Sequence, residues 1–314
     1  MEVAAGEWNA LLARLGTDDV YLRREYVESA AVLEPGRPTF LHAEDTVFPC
    51  ILRDFEGHAD VTTPYGYGGP VGEPAEAFYD AYAGWCRERG VVSTFVRFHP
   101  LYANQRYSRF QTETLGGTIA WGLGDDLFER LHSHHRRVIR KAERAGLEAA
   151  VRERSDLGEF VELYERTMTR LDADAFYLFT PAYWESLGAL PTVLVEVRRE
   201  GELAGGALCF ASKPWLHYHL GASSDEGRSL GASNLALFAA ARWAREQGYE
   251  LFHLGGGVGG RRDSLYEFKR RFDPGGEREF AVGKAIHDEA AYHKLAGNAG
   301  ADAGRFFPAY RARA

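Results

Sequence analysis

The chain lacks most of what would place it outside a reducing compartment. It has 314 residues but only three cysteines, Cys50, Cys86 and Cys209, all far apart. That spacing excludes a disulfide framework and a zinc knuckle, and a cytoplasmic location is expected. No run approaches the roughly 18 apolar residues of a membrane span. The opening segment, MEVAAGEWNALLARLG, has neither a basic n-region nor an apolar h-region, so no signal peptide is expected. Positive charge is not in excess: 37 Lys and Arg against 45 Asp and Glu leave a net charge of -8. This excludes a general nucleic-acid coat protein but not a local basic patch on an acidic body. The sequence contains no internal repeat and no low-complexity tract.

What is present reads as globular. Hydrophobic residues make up 45% and charged residues 26%, so a packed core is expected rather than disorder. At roughly 150 residues per domain the length suggests two domains or one large one. In the first half an amphipathic segment, Glu7–Leu15, precedes two strand-like runs, Thr39–His42 and Val47–Leu52. Thr63–Pro70 (TPYGYGGP) is too rich in Gly and Pro for regular structure. Pro74–Arg89 is helical, with Phe78, Tyr82 and Trp85 on one face, and strands follow at Val91–Phe98 and Gly117–Trp121. The second half opens with a basic helix, Asp125–Arg144, then a strand at Leu147–Val151 and a helix at Leu157–Arg170. Three close strands follow, Thr192–Arg198, Leu203–Ala211 and Trp215–Gly221. An apolar helix, Asn234–Gln247, leads to a strand at Tyr249–Leu254, a helix at Asp263–Arg271 and a strand at Phe280–Lys284. Short helices are expected near Asp288–Leu295 and Arg305–Arg311. Hairpins and a strand–helix–strand unit in one chain argue for an α/β (α+β) fold with mixed sheets and two parts of similar size.

Several motifs compete for a chemical reading. Gly255–Gly260 (GGGVGG) satisfies GxGxxG after a strand, but it comes too late in the chain for a dinucleotide fold. A loop that bends closely past a ligand, or a flexible loop, fits better. Arg228–Ser233 (RSLGAS) resembles the pyrophosphate loop of GNAT acyltransferases, with Ser in place of the final Gly or Ala. An ordinary polar helix start explains it as well. His132, His134 and His135 adjoin Arg136 and Arg137, whose charges repel a metal ion. His217 and His219 fall on one face of a strand and more often line a cleft than hold a metal; no metal site is expected. Two basic clusters stand out. Arg130, Arg136, Arg137, Arg140, Lys141 and Arg144 lie on one helix, and Arg261, Arg262, Lys269, Arg270 and Arg271 surround another. They suit a phosphate backbone. Solvated helix faces, balanced by Glu129, Glu143, Asp263 and Glu267, suit them equally.

The segment Asp263–Phe272 (DSLYEFKRRF) resembles the Fem-type (FemABX) aminoacyltransferases, which carry a Phe-Lys pair here, present as Phe268-Lys269. TPYGYGGP resembles a loop common in Fem-like proteins. The basic helix His135–Arg144 occupies the place of the family's Lys/Arg-rich helix. Phe252-His253-Leu254-Gly255-Gly256 resembles the family's Leu-Gly-Gly strand end. The resemblance covers most of the chain and is densest over 130–285. It implies two GNAT-like domains in the compact form without a helical arm: residues 1–125 plus 285–314 on the acceptor side, and 126–284 on the aminoacyl-tRNA side. Where a compact cell-wall member has Arg-Phe-Asp-Pro, this chain has Arg97-Phe98-His99-Pro100. An imidazole in place of a carboxylate points away from the cell-wall precursor and toward another amine-bearing acceptor.

The resemblance implies aminolysis of the ester that joins an amino acid to tRNA, with aminoacyl-tRNA as co-substrate and no cofactor. The product is an amide on a small-molecule or peptide acceptor, such as an antibiotic-pathway intermediate or a peptidoglycan precursor. Lys269 would supply charge to the oxyanion or to a terminal phosphate. His99, His219 and Asp263 are candidate bases, and Phe268 would stack on the terminal adenine or pack in the core. Tyr65, Gly66, Tyr67 and Gly69, with Arg97, would line the acceptor cleft. Arg136, Arg137, Arg140, Lys141, Arg262 and Arg270 would meet the tRNA. The alternatives are an acyl-CoA-dependent GNAT N-acyltransferase, which would use acetyl-CoA, and a non-catalytic tRNA- or peptide-binding module.

Overall fold

The computed structural model describes residues 1–73, 76–153, 156–297 and 306–312. The chain packs as two units, Met1–Leu115 with Glu279–Ala314, and Gly116–Arg278. The second unit begins and ends earlier than the expected 126–284. It begins earlier because Ile119–Gly122 pairs antiparallel with the late strand Leu251–Gly255, which draws it into the second unit.

In the first unit the amphipathic N-terminal helix α1 (Ala5–Leu15) buries Trp8, Leu11 and Leu12 and ends at Gly16, whose φ of 69° is the left-handed stop that glycine favours. A second helix, α2 (Arg24–Leu33), is not apparent from sequence because its N-cap, Arg23, makes no side-chain cap bond. Strands β1 (Arg37–Ala43), β2 (Thr46–Phe55) and β3 (His58–Thr62) form an antiparallel meander. Helix α3 (Glu76–Glu88) carries the chain to β4 (Val91–Arg97), which pairs parallel with β3. The helix buries Phe78, Tyr79, Tyr82 and Trp85 against Phe48, Val96 and Phe98.

In the second unit the sheet order is β5-β10-β9-β8-β7-β6. It comprises β5 (Gln111–Gly122, of which 116–122 belong here), β6 (Glu148–Glu153), β7 (Thr192–Arg199), β8 (Glu202–Ser212), β9 (Trp215–Ser223) and β10 (Leu251–Gly255). Only β9 and β10 pair parallel; the other neighbours are antiparallel. The expected single basic helix is two, α4 (Leu127–Arg130) and α5 (Ser133–Arg144), because Leu131 and His132 are extended between them. Helix α6 (Gly158–Arg170) and the short α7 (Pro181–Ser186) precede the central strands. α8 (Asp225–Leu230) and α9 (Ala232–Glu246) make the crossover from β9 to β10, and α10 (Ser264–Arg270) follows β10. Nine residues of α9 are buried, so this helix is the centre of the second core, with Ile119, Trp121, Val195, Leu216 and Phe252.

The chain then returns through β11 (Glu277–Ile286), whose residues Val282–Ile286 pair antiparallel with β4, and α11 (Glu289–Ala296). Of the expected helix Arg305–Arg311, Arg305 lies outside the described residues and only Ala309–Arg311 forms a helical turn. Each unit is thus a mixed sheet with one parallel pair joined by a helical crossover, the architecture of a GNAT-like domain.

Candidate active site

In the second unit β9 and β10 are hydrogen-bonded only from Trp215↔Leu251 to His217↔His253. Beyond that point β9 runs six residues further while β10 turns into the glycine loop. A bulge accompanies the parting: Leu208 faces Leu220 but Cys209 faces Tyr218, leaving His219 as the extra residue. Into this fork α10 sends Lys269. Its side chain is 6% exposed. Nζ donates to the Gly256 carbonyl at 2.7 Å and stands 5.4 Å over the ring of Tyr218. Burial pushes its pKa down to about 7, against the pull of the Asp263 carboxylate. The amine therefore changes charge near neutrality, and as an ammonium it can offer N–H bonds to an oxygen that gains negative charge.

Each of the three candidate bases has partners within its own unit. Asp263 is the N-cap of α10, with Oδ1 accepting Tyr266 N–H and Oδ2 accepting Val258 N–H, both at 2.9 Å. Burial raises its pKa, but the backbone donors and Arg261 more than offset this and hold the carboxyl below its usual range. It is an anion that caps the helix and braces the loop. Nε2 of His219 lies 2.7 Å from the Tyr183 hydroxyl, and its ring packs 4.4 Å from Phe210. Burial lowers its pKa to about 3, too weak a base for work near neutrality. The bulge also sends His217 and His219 to different partners, since Nδ1 of His217 is 3.4 Å from Nδ1 of His253. In the first unit His99 is fully buried. Its Nδ1 accepts from the backbone of Leu101 and Tyr102 at 3.3 and 3.4 Å, and its Nε2 lies 3.3 Å from Asp19.

The two basic clusters meet. His132 N–H donates to the Arg271 carbonyl at 3.0 Å. His135, buried on α5, places Nε2 2.8 Å from the Phe268 carbonyl and Nδ1 2.9 Å from Asn234 Nδ2. Both of its nitrogens are occupied, which removes it from any metal cluster with His132 and His134. Burial lowers its pKa to about 4. Phe268 is half-buried between the rings of His135 (5.2 Å) and Phe272 (5.4 Å). Several residues expected to meet tRNA are already partnered. Arg136 donates to the Glu129 carbonyl, Lys141 to the Ser229 carbonyl, Arg262 to Glu277 and Arg270 to Glu267. Arg137 bonds His134, and Arg140 lies over the Phe128 ring. Among the described residues Arg137, Arg140, Arg144 and Arg271 have no carboxylate partner.

The glycine loop and the RSLGAS segment are both shaped by close approach of neighbouring chain. A Cβ on Gly257 would sit 2.2 Å from the Arg261 carbonyl and 2.3 Å from Asp263 Oδ1. Arg228, Ser229 and Leu230 belong to helix α8. A Cβ on Gly231 would meet Val138 of α5 at 2.4 Å, so α5 packs over the start of α9.

In the first unit the TPYGYGGP loop is shaped by a residue that sequence did not flag. Asn104 is 3% exposed; its Nδ2 donates to the carbonyls of Gly68 and Pro70 and its Oδ1 accepts His99 N–H, all within 2.9 Å. Gly66 and Gly69 have φ of 101° and 85°, and a Cβ there would strike Tyr21 at 2.7 Å and Val96 at 2.8 Å respectively. The Tyr65 carbonyl accepts the Tyr26 hydroxyl at 2.5 Å. The Tyr67 ring packs 5.2 Å from Tyr21 and 5.8 Å from His99, and burial pushes its phenol pKa up. Arg97 is tied to the loop through the Thr63 carbonyl at 3.1 Å and lies 3.6 Å from Glu34. Lone Asn residues carry no periodic signal, so only the folded loop reveals Asn104.

Residues 130–270 match the profile of the Acetyltransferase (GNAT) domain. Among solved structures, FemX superposes with a TM-score of 0.70 at 15% identity, over 94% of this chain and 98% of that chain. L-PGS from Bacillus licheniformis gives 0.60 at 15% identity, over 90% and 92%. A tandem GNAT protein from the clavulanic acid biosynthesis pathway gives 0.52 at 12% identity, over 91% and 98%. No curated protein matches the sequence. At these identities the agreement with the solved structures is one of fold. No helix among the described residues is long and apolar enough to cross a membrane.

Proposed function

We propose that this chain, which has the Fem-type GNAT fold, is an aminoacyltransferase. It moves an amino acid from aminoacyl-tRNA to the amine of a small-molecule or peptide acceptor and forms an amide bond. The second unit takes the aminoacyl-tRNA and the first takes the acceptor. The observation that carries the reading is the placement of Lys269: a buried amine in the fork of β9 and β10, on the helix that also joins the basic face of α5. The acceptor amine attacks the ester carbonyl, the carbonyl oxygen becomes an oxyanion, and the C–O bond to the tRNA ribose breaks as the amide forms. The Lys269 ammonium stabilises the oxyanion, an effect worth on the order of 100- to 1,000-fold for one well-placed donor. Because His219 is too weak a base and Asp263 is engaged as the cap of α10, the proton leaves the attacking amine to water or to the departing ribose oxygen.

The second reading, acyl transfer from coenzyme A, is favoured by the match to the acetyltransferase domain profile. The packing of Val138 on Gly231 weighs against it, because pyrophosphate would need the start of α9 open. The deciding experiment incubates the protein with tRNA charged with radiolabelled amino acids and a mixture of small amines. RNase-sensitive label transfer that disappears in Lys269→Met supports the proposal. Transfer from acetyl-CoA alone replaces it with the second reading.

A further inference from the structure

Lys269 does not hold its position alone. The segment from Gly256 to α10 is closed into a ring by three hydrogen bonds. Asp263 Oδ2 takes the N–H of Val258, at the start of the loop, and Asp263 Oδ1 takes the N–H of Tyr266, in the first turn of the helix. Lys269, further along the same helix, reaches back to the carbonyl of Gly256 at 2.7 Å. Gly257 lies so close to the carboxylate that a Cβ would be 2.3 Å from Oδ1. One side chain thus sets the distance between the loop that accepts from the amine and the helix that delivers it.

The groups around the amine leave this carboxylate a second effect. Above it on β9 is Tyr218, a neutral phenol kept so by burial. On the loop side is an uncharged carbonyl. On α5, His135 is held neutral by burial and bonded to the Phe268 carbonyl. Along α10, Arg270 pairs with Glu267, and Arg262 pairs with Glu277. Asp263 is the charged group whose field acts on the amine.

We propose that Asp263 is a positioning residue for Lys269, pinning the glycine loop to α10 so that the Gly256 carbonyl meets the amine. The inference rests on the role given to Lys269 above. Its test reads the lysine directly, so the two can fail separately.

The chain has five lysines, Lys141, Lys213, Lys269, Lys284 and Lys294, few enough to follow one by one. The full-length protein is labelled with trace acetic anhydride across a pH series, and each lysine's reactivity is read by mass spectrometry. In Asp263→Asn the midpoint for Lys269 is expected to fall by about one pH unit, a tenfold change in its charged fraction, while Lys284 in the first unit stays unchanged. Asp263→Ser keeps a helix cap but not the charge, and is expected to show the same shift with the circular dichroism of the parent. An unchanged Lys269 midpoint in both variants overturns the proposal. An equal shift at Lys284 also overturns it, since that reports general loosening. If the parent protein shows no tRNA-dependent transfer, the functional reading falls and the titration still decides the role of Asp263.

Discussion

Nε2 of His135 lies 2.8 Å from the carbonyl oxygen of Phe268, and this bond ties the basic helix α5 to the helix that carries Lys269. A buried imidazole therefore joins the basic helix α5 to the helix that carries the buried amine. The consequences can be measured one at a time.

Lys269→Met is expected to lower transfer by about 100-fold or more with little change in melting temperature. Methionine fills similar space, and removing a buried amine that burial disfavours offsets the lost bond to Gly256. Transfer rates and thermal unfolding on the same preparation check this. A variant that unfolds early while the remaining folded fraction keeps full activity would contradict it.

Arg137 and Arg144 have no carboxylate partner among the described residues, and both are exposed on α5. The double change Arg137→Glu, Arg144→Glu should weaken binding of charged tRNA. It should also flatten the salt dependence by about one in slope for each phosphate that is no longer neutralised. Filter binding over a salt series measures this. Stability should be unaffected, because neither side chain supports the core.

Asn104→Ala removes the side chain that accepts from His99 and donates to Gly68 and Pro70. Because the site is buried, a loss of about 2–4 kcal/mol is expected, with a rise in KM for the acceptor and a smaller effect on kcat. Urea unfolding and acceptor-dependent kinetics test the two parts separately. Equal KM values for parent and variant would remove the TPYGYGGP loop from acceptor binding.

Acid should destabilise the protein through its buried imidazoles. Burial lowers the pKa of His135 to about 4 and of His219 to about 3. Below about pH 6.5 the unfolded chain binds these protons and the native state does not. Their stabilising contribution is therefore full above pH 6.5 and falls as pH drops, by about 1.4 kcal/mol per pH unit for each histidine, until the native groups titrate. Denaturant unfolding from pH 7 to pH 5 should show this slope, and His219→Phe should lessen it. An identical slope in that variant would mean that other groups control the acid limit.

Helices with strong one-sided patterns, such as α3 with Phe78, Tyr82 and Trp85, were legible because burial imposes a 3.6-residue period. β3 and α2 were not, since a five-residue strand and an uncapped helix leave little local signal. The segment around Phe268-Lys269 was legible through a resemblance, but the tasks of its neighbours were not. Asp263 reads as an acid with any role until its two backbone donors are seen.

By itself the sequence determined the mixed α/β class, the two-part organisation, the two basic clusters and the Phe268-Lys269 pair. These are encoded locally, in periodicity, glycine stops and residue type. Only the tertiary structure decided what surrounds those groups. Burial, not residue type, lowers Lys269 to about 7 and keeps His219 neutral. A bulge in β9 separates His217 from His219, and contact between α5 and α10 brings two distant basic segments together. A pKa and a shared surface depend on what long-range packing places within a few ångströms, and no local pattern in the chain records that.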